Sequence, residues 1–209
     1  MAAFFGNLRN TIIAGLVLAV AMIVAFGQFS ENHYDTLFWQ AVLRWMHVFF
    51  GVLWIGLLYY FNFVQSRKMP EIPAELKPAV NKYIAPEALF WFRWSALMTV
   101  LAGIGIVLLH GKDYAANVFT FGLVSATGAA KMGYVLMSLG IYMAIIMFLN
   151  VWGVIWPNQK RVLGIVEADA ETRAKAARIA GMASRINTML SLPMLTAMAM
   201  YETLYGVSV

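Results

Sequence analysis

The sequence predicts an all-α fold, a polytopic bundle of transmembrane helices, and three observations carry that expectation. Of the 209 residues, 62% are hydrophobic and 12% charged, whereas soluble domains have about 45–50% apolar and about 25% charged residues. The mean hydropathy is +0.72. The apolar residues are also gathered into runs long enough to cross a hydrocarbon core about 30 Å thick, for which roughly 20 helical residues suffice. A chain of this length cannot hide so much apolar surface inside itself, so lipid is the expected solvent.

Five spans are expected within one integral membrane domain, 1–209. The first, residues 11–29 (TIIAGLVLAVAMIVAFGQF), follows a weakly basic start and lacks a convincing A-x-A cleavage site. It reads as a retained span, with a cleaved signal peptide as the alternative. The second covers 41–64, the third 88–109, the fourth 132–156 and the fifth 189–205. Residues 114–130 (YAANVFTFGLVSATGAA) are apolar but rich in small and hydroxyl side chains. They are expected to form an interfacial or re-entrant segment, with a sixth span as the alternative.

Charge placement orients the bundle. Residues 65–87 hold Arg67, Lys68, Lys77 and Lys82, and residues 158–188 hold Lys160, Arg161, Arg173, Lys175, Arg178 and Arg185. Between the other span ends, 30–40 have no Lys or Arg and 110–131 have only Lys112 and Lys131. The positive-inside rule makes the two basic loops cytoplasmic, with the N-terminus inside and, for five spans, the C-terminus outside. Six spans would put those loops on opposite faces. The stretch from Arg161 to Arg185, acidic first and basic later, suits one or two surface helices with charges matched to the helix dipole. Prolines 70, 73, 78 and 86 mark the other inner loop as turn-rich.

The chain has no cysteine, which excludes disulfides, Fe–S clusters, thiolate zinc sites and covalently attached c-type haem. No phosphate loop, HExxH, nucleophile elbow or carboxylate dyad occurs, no metal site is expected, and nothing suggests nucleic-acid binding. Functional suspicion falls on polar groups inside the apolar runs, where they are costly. His47, in the run RWMHVFFGVLWIGLLYYFNFVQ, is one; Arg44 lies nearly a turn before it on the same face. The imidazole suits a hydrogen bond to a neighbouring helix, a ligand to haem b or a proton relay. The other histidines, His33 and His110, lie about 10 Å or more nearer the surface at about 1.5 Å rise per residue, an awkward placement for paired axial ligation. Glu202 stands at a depth comparable to Arg44, and a pair between them spares each an unpaired charge. Arg93, between Trp91 and Trp94, is explained by snorkelling to the inner interface, and Asn150 can hold neighbouring helices together. The tryptophans near span ends, Trp39, Trp45, Trp91 and Trp156, fit an aromatic belt. Ser125, Ala129 and Gly133 are spaced four apart, a pattern that allows close helix contact.

Four segments together resemble the membrane domain of the bacterial cytochrome-c-linked urate oxidase (urate hydroxylase) family: RWMHVFFGVLWIGLLYYFNF, KYIAPEALFWFRWSALMTVLAG, NVWGVIWPNQKRVLG and SRINTMLSLPMLTAMA. The second and third are the most specific, the third through Pro157, Asn158, Gln159 and Lys160. The likeness runs over roughly 43–200, and His47, Gly51 and the run Trp54-Ile55-Gly56 match the family's first membrane motif. The family pattern has histidines where this chain has Phe90 and Ile186, and a lysine where it has Arg93. The family's further membrane helices and c-type haem domain have no counterpart here. The resemblance therefore implies an inner-membrane protein of electron-transfer type. Its expected role is an accessory helical subunit of a respiratory or other electron-transfer complex, in contact with lipid and membrane protein partners, with a cytochrome c as a candidate among them. It is not expected to be a complete enzyme on its own. The alternatives are a catalytic or haem-bearing component of a urate-oxidising system, with His47 as catalytic or cofactor-binding residue, and a small-molecule transporter. No stoichiometric haem is expected; haem b at His47 is the cofactor the alternative requires.

Overall fold

The computed structural model describes residues 2–29 and 33–205, and among these there is no strand. After a short turn of helix at Ala2–Phe5, five long helices follow: α1 (Leu8–Phe29), α2 (Thr36–Glu71), α3 (Lys77–Leu109), then, beyond the eight-residue α4 (Lys112–Phe119), α5 (Gly128–Val162) and α6 (Ala170–Leu204). The helices α1, α2, α3 and α5 are each long and apolar enough to cross a membrane, as lipid-facing composition demands. The expected fifth span, 189–205, is the apolar half of α6, a 35-residue helix that carries Pro193 in its interior and is not among those four. The termini on which the inside and outside assignments of the chain ends turn lie outside the described residues.

Two local rules shape the helices. Aspartates start two of them: Asp35 Oδ1 accepts the Phe38 amide at 2.9 Å ahead of α2, and Asp169 Oδ1 accepts the Thr172 amide at 2.6 Å ahead of α6, each satisfying a donor with no intrahelical partner. Prolines then widen two others. A proline cannot donate to the carbonyl four residues back, and its ring collides with it. In α3 the backbone opens to π geometry over Val80–Ile84, closed by the Ala85 amide on the Val80 carbonyl, and Pro86 follows at once. In α5 the same happens over Val151–Ile155, closed by the Trp156 amide on the Val151 carbonyl, immediately before Pro157. A third π segment, Tyr60–Gln65, interrupts α2. All three lie toward the bundle end that holds the basic segments.

The residues expected to form inner loops are largely helical. In 65–87 only Ile72–Leu76 breaks the helix, and in 158–188 the break is Leu163–Asp169. The surface helix expected after Arg161 is instead the first half of α6. Its small residues Ala176, Ala180 and Ala183 are buried, with Ala183 in the main core, so a charged strip and a packed alanine strip share one helix.

That core joins α2, α3, α5 and α6 through Trp54 and Leu58, Phe92 and Ala96, Met147 and Val151, and Met194. A smaller cluster of Val107, Val118 and Met137 seats α4. By contrast, α1 is exposed along nearly its whole length. Only its Gly27 is buried, where an added Cβ would lie 2.5 Å from the Phe38 ring. Residues 114–130 comprise most of α4, an irregular stretch and the first turn of α5. Buried Asn117 knots that stretch by donating to the Asp113 carbonyl and Ser125 Oγ, both at 2.9 Å, and accepting the Ser125 amide at 3.2 Å. Ser125 therefore lies before α5, and the spaced trio with Ala129 and Gly133 forms no helix stripe. Gly133 is nonetheless a close approach, since a Cβ there would meet the Tyr205 ring at 2.9 Å.

Candidate functional site

The polar residues sort into three groups along the bundle. At the end away from the basic segments, Arg44 Nη1 and Glu202 Oε2 meet at 2.8 Å, with each side chain 46% exposed. This ties α2 to α6. Beside Glu202, Tyr201 stacks on Tyr205, and His110 stacks on Tyr114, which meets Tyr134 edge-on. Gln40 Nε2 donates to the Leu109 carbonyl at 3.0 Å. Burial holds the Tyr114 phenol above its ordinary range.

One turn deeper lies His47. Its Nδ1 is 2.8 Å from the Thr99 carbonyl oxygen. A carbonyl only accepts, so the proton is on Nδ1 and Nε2 keeps its lone pair. Gly103 makes this possible, because a Cβ there would be 3.0 Å from Nδ1. The same geometry serves as a helix-to-helix bond and as the second-shell contact that orients a ligating imidazole. His110 Nδ1 is committed to the Ile106 carbonyl at 2.8 Å. His47 thus offers one free imidazole nitrogen, which would be the group that holds a haem b there. No group of three or more His, Cys, Asp or Glu residues able to hold a metal ion occurs among the described residues.

The middle group is a seam of amides and hydroxyls on α6. Asn150 Nδ2 donates to Asn187 Oδ1 at 2.8 Å and to the Ala183 carbonyl at 3.0 Å, and Asn187 Nδ2 donates to the Met147 carbonyl at 3.0 Å. From α2, Asn62 Nδ2 reaches Ser184 Oγ at 2.8 Å, and the Tyr59 hydroxyl lies 3.0 Å from Ser191 Oγ. Asn187 and Ser191 are fully buried. Sequence reasoning singled out Asn150 and passed over Asn187, Asn62 and Tyr59. Their available signal was an amide or phenol inside an apolar run.

The third group surrounds Arg93. Its guanidinium carbon lies 3.2 Å from the centre of the Trp156 ring and 6.0 Å from that of Trp152, while Trp94 meets Trp152 edge-on. Arg93 therefore turns onto α5 rather than simply reaching for the interface. Its Nε and Nη1, and Trp152 Nε1, are buried without a hydrogen-bond partner; Gln65 Oε1 and Trp54 Nε1 are too. The ring contact contributes about 2 kcal/mol when desolvated, whereas each buried donor left unpaired costs about 1–3 kcal/mol. Two such donors cost about 2–6 kcal/mol together, so the stacking offsets them only at the low end of that range. Lys160 Nζ sits 6.0 Å from the same Trp156 ring. Asn158 Nδ2 donates to the Val154 carbonyl at 2.8 Å while its Oδ1 accepts from Arg161 Nη1 at 3.3 Å, and the Gln159 carbonyl accepts the Leu163 amide at 2.9 Å. The two ion pairs among the described residues are Arg44–Glu202 and Lys68–Glu71, so Arg93, Lys160 and Arg161 enter neither.

Residues 114–208 match the family model for the urate oxidase N-terminal region. Over those residues the chain is similar to that family. The urate oxidase-like stretch takes in Asn150, Asn158, Gln159, Asn187 and Glu202, and leaves Arg44, His47 and Arg93 before its start. No curated protein and no solved structure matches the chain.

Proposed function

We propose that this chain is an accessory helical subunit of a urate oxidase-like electron-transfer complex, inserted in the bacterial inner membrane with its basic segments cytoplasmic. The observation that carries this reading is the use made of the deep polar groups. Asn150, Asn187, Asn62, Tyr59 and the Nδ1 of His47 all bond to neighbouring helices; they brace the bundle. Phe90 and Ile186, where the family pattern has histidines, are 44% and 43% exposed. They extend the apolar exterior that lipid or a membrane partner covers. Electrons from a substrate would then pass through the partner, with a cytochrome c as one such acceptor.

The test is purification of the tagged chain from its native membrane in mild detergent, followed by visible spectroscopy before and after stripping of associated proteins. The expected result is a haem spectrum that leaves with an identified cytochrome partner. A Soret band that stays with the isolated chain would overturn the accessory reading.

A second reading rests on one observation, the free Nε2 of an imidazole whose other nitrogen is held by Thr99. There His47 would carry haem b in a component that itself takes part in urate oxidation.

A further inference from the structure

The Arg93 group gathers buried donors without a protein partner around a cation that enters neither ion pair among the described residues. Arg93 Nε and Nη1 come from α3 and Trp152 Nε1 from α5, and all three are buried donors without acceptors. Trp156 fixes the guanidinium at 3.2 Å, and Lys160 lies over the same ring. Arg161 is one residue further on, with its Nη1 on Asn158. A cation seated on an aromatic face cannot move to the surface without losing that contact. An acceptor-rich anion that reached the donors of both helices would complete this arrangement.

We propose that Arg93, Trp152, Trp156 and Lys160 form a binding site for a phosphate oxyanion at the basic end of the bundle. A tetrahedral oxyanion carries several acceptor oxygens at different angles, which suits donors arriving from two helices. Charge-assisted bonds from a guanidinium to such oxygens are the strong ones. The site lies beside both basic segments, where the headgroups of acidic phospholipids concentrate cations. The phosphate belongs either to such a headgroup or to a free phosphate ion.

The test uses the full chain in nanodiscs of phosphatidylcholine with and without phosphatidylglycerol, read by native mass spectrometry for retained lipid and by thermal melting. Inorganic phosphate is titrated separately into the phosphatidylcholine discs. For a headgroup site, phosphatidylglycerol is retained and raises the melting temperature, and Arg93→Gln weakens retention about tenfold, equivalent to about 1.4 kcal/mol. For a free-ion site, inorganic phosphate alone raises the melting temperature, and Arg93→Gln abolishes that rise. If Arg93→Gln does not fold, Lys160→Gln is expected to weaken the same response less steeply, since Lys160 sits at the edge of the ring. The proposal is overturned if neither probe binds the wild-type chain. It is equally overturned if a folded Arg93→Gln binds as the wild type does, or if Lys160→Gln does so when Arg93→Gln does not fold.

Discussion

Arg44 and Glu202 join the second and last long helices through a 2.8 Å contact between Nη1 and Oε2. Both side chains are half-exposed, so the pair is worth about 0.2–1 kcal/mol in water, and more if the surrounding medium is lipid. Arg44→Met and Glu202→Gln are each expected to lower the melting temperature in detergent, and the double variant to lower it by less than the sum. The double-mutant cycle reads this directly. Strictly additive losses would show that the two charges do not support one another.

This pair was legible in the sequence because both groups are ionisable, stand at similar depth and have few other partners. The helices were legible for a similar reason, since apolar length reports a span without any knowledge of neighbours. The continuity of α6 was not legible. Its first half is charged enough to read as a solvated connector, and only the packing of Ala176, Ala180 and Ala183 against other helices makes it part of the bundle. Arg93 shows the same limit. Snorkelling is a sufficient account from its own helix alone, and the deciding contact is a ring on α5 brought near by tertiary packing.

Asn187 is expected to be the costliest polar residue to remove from the seam. It is fully buried, and both ends of its amide are used, toward Asn150 and the Met147 carbonyl. Asn187→Ala leaves a void and strips Asn150 of its amide partner, at about 1–3 kcal/mol. Asn150→Ala costs less, because its site is only half-buried. Thermal melts of both variants check the order; a milder effect at Asn187 would refute the seam as a stabilising element.

Asp169 makes the start of α6 sensitive to acid. The hydrogen bond from Thr172 holds its carboxyl below the usual carboxylate range. A depressed folded pKa means that its contribution is present above the unfolded value and lost as pH falls through the folded one. Hydrogen exchange at residues 170–173 should therefore quicken, beyond the intrinsic pH effect, as the pH drops below the carboxylate range. Asp169→Asn, which caps without titrating, should abolish that step. Persistence of the step in Asp169→Asn would assign it to another group.

His47 discriminates between the two functional readings. Its Nδ1 bond to Thr99 ties α2 to α3, and Gly103 clears the space for it. If bracing is its whole role, His47→Leu loses about 1 kcal/mol, still assembles with its partner and leaves the spectrum of the complex unchanged. Gly103→Ala should mimic the loss, because the new methyl would stand 3.0 Å from Nδ1 and displace the ring. If Nε2 instead holds haem b, His47→Leu removes a Soret band from the isolated chain, and Gly103→Ala shifts it or weakens haem retention. The accessory reading predicts no such band in the wild-type chain once its partners are stripped. A haem spectrum that His47→Leu abolishes would replace the accessory reading with the redox one, and a haem spectrum it leaves intact would remove His47 from the site.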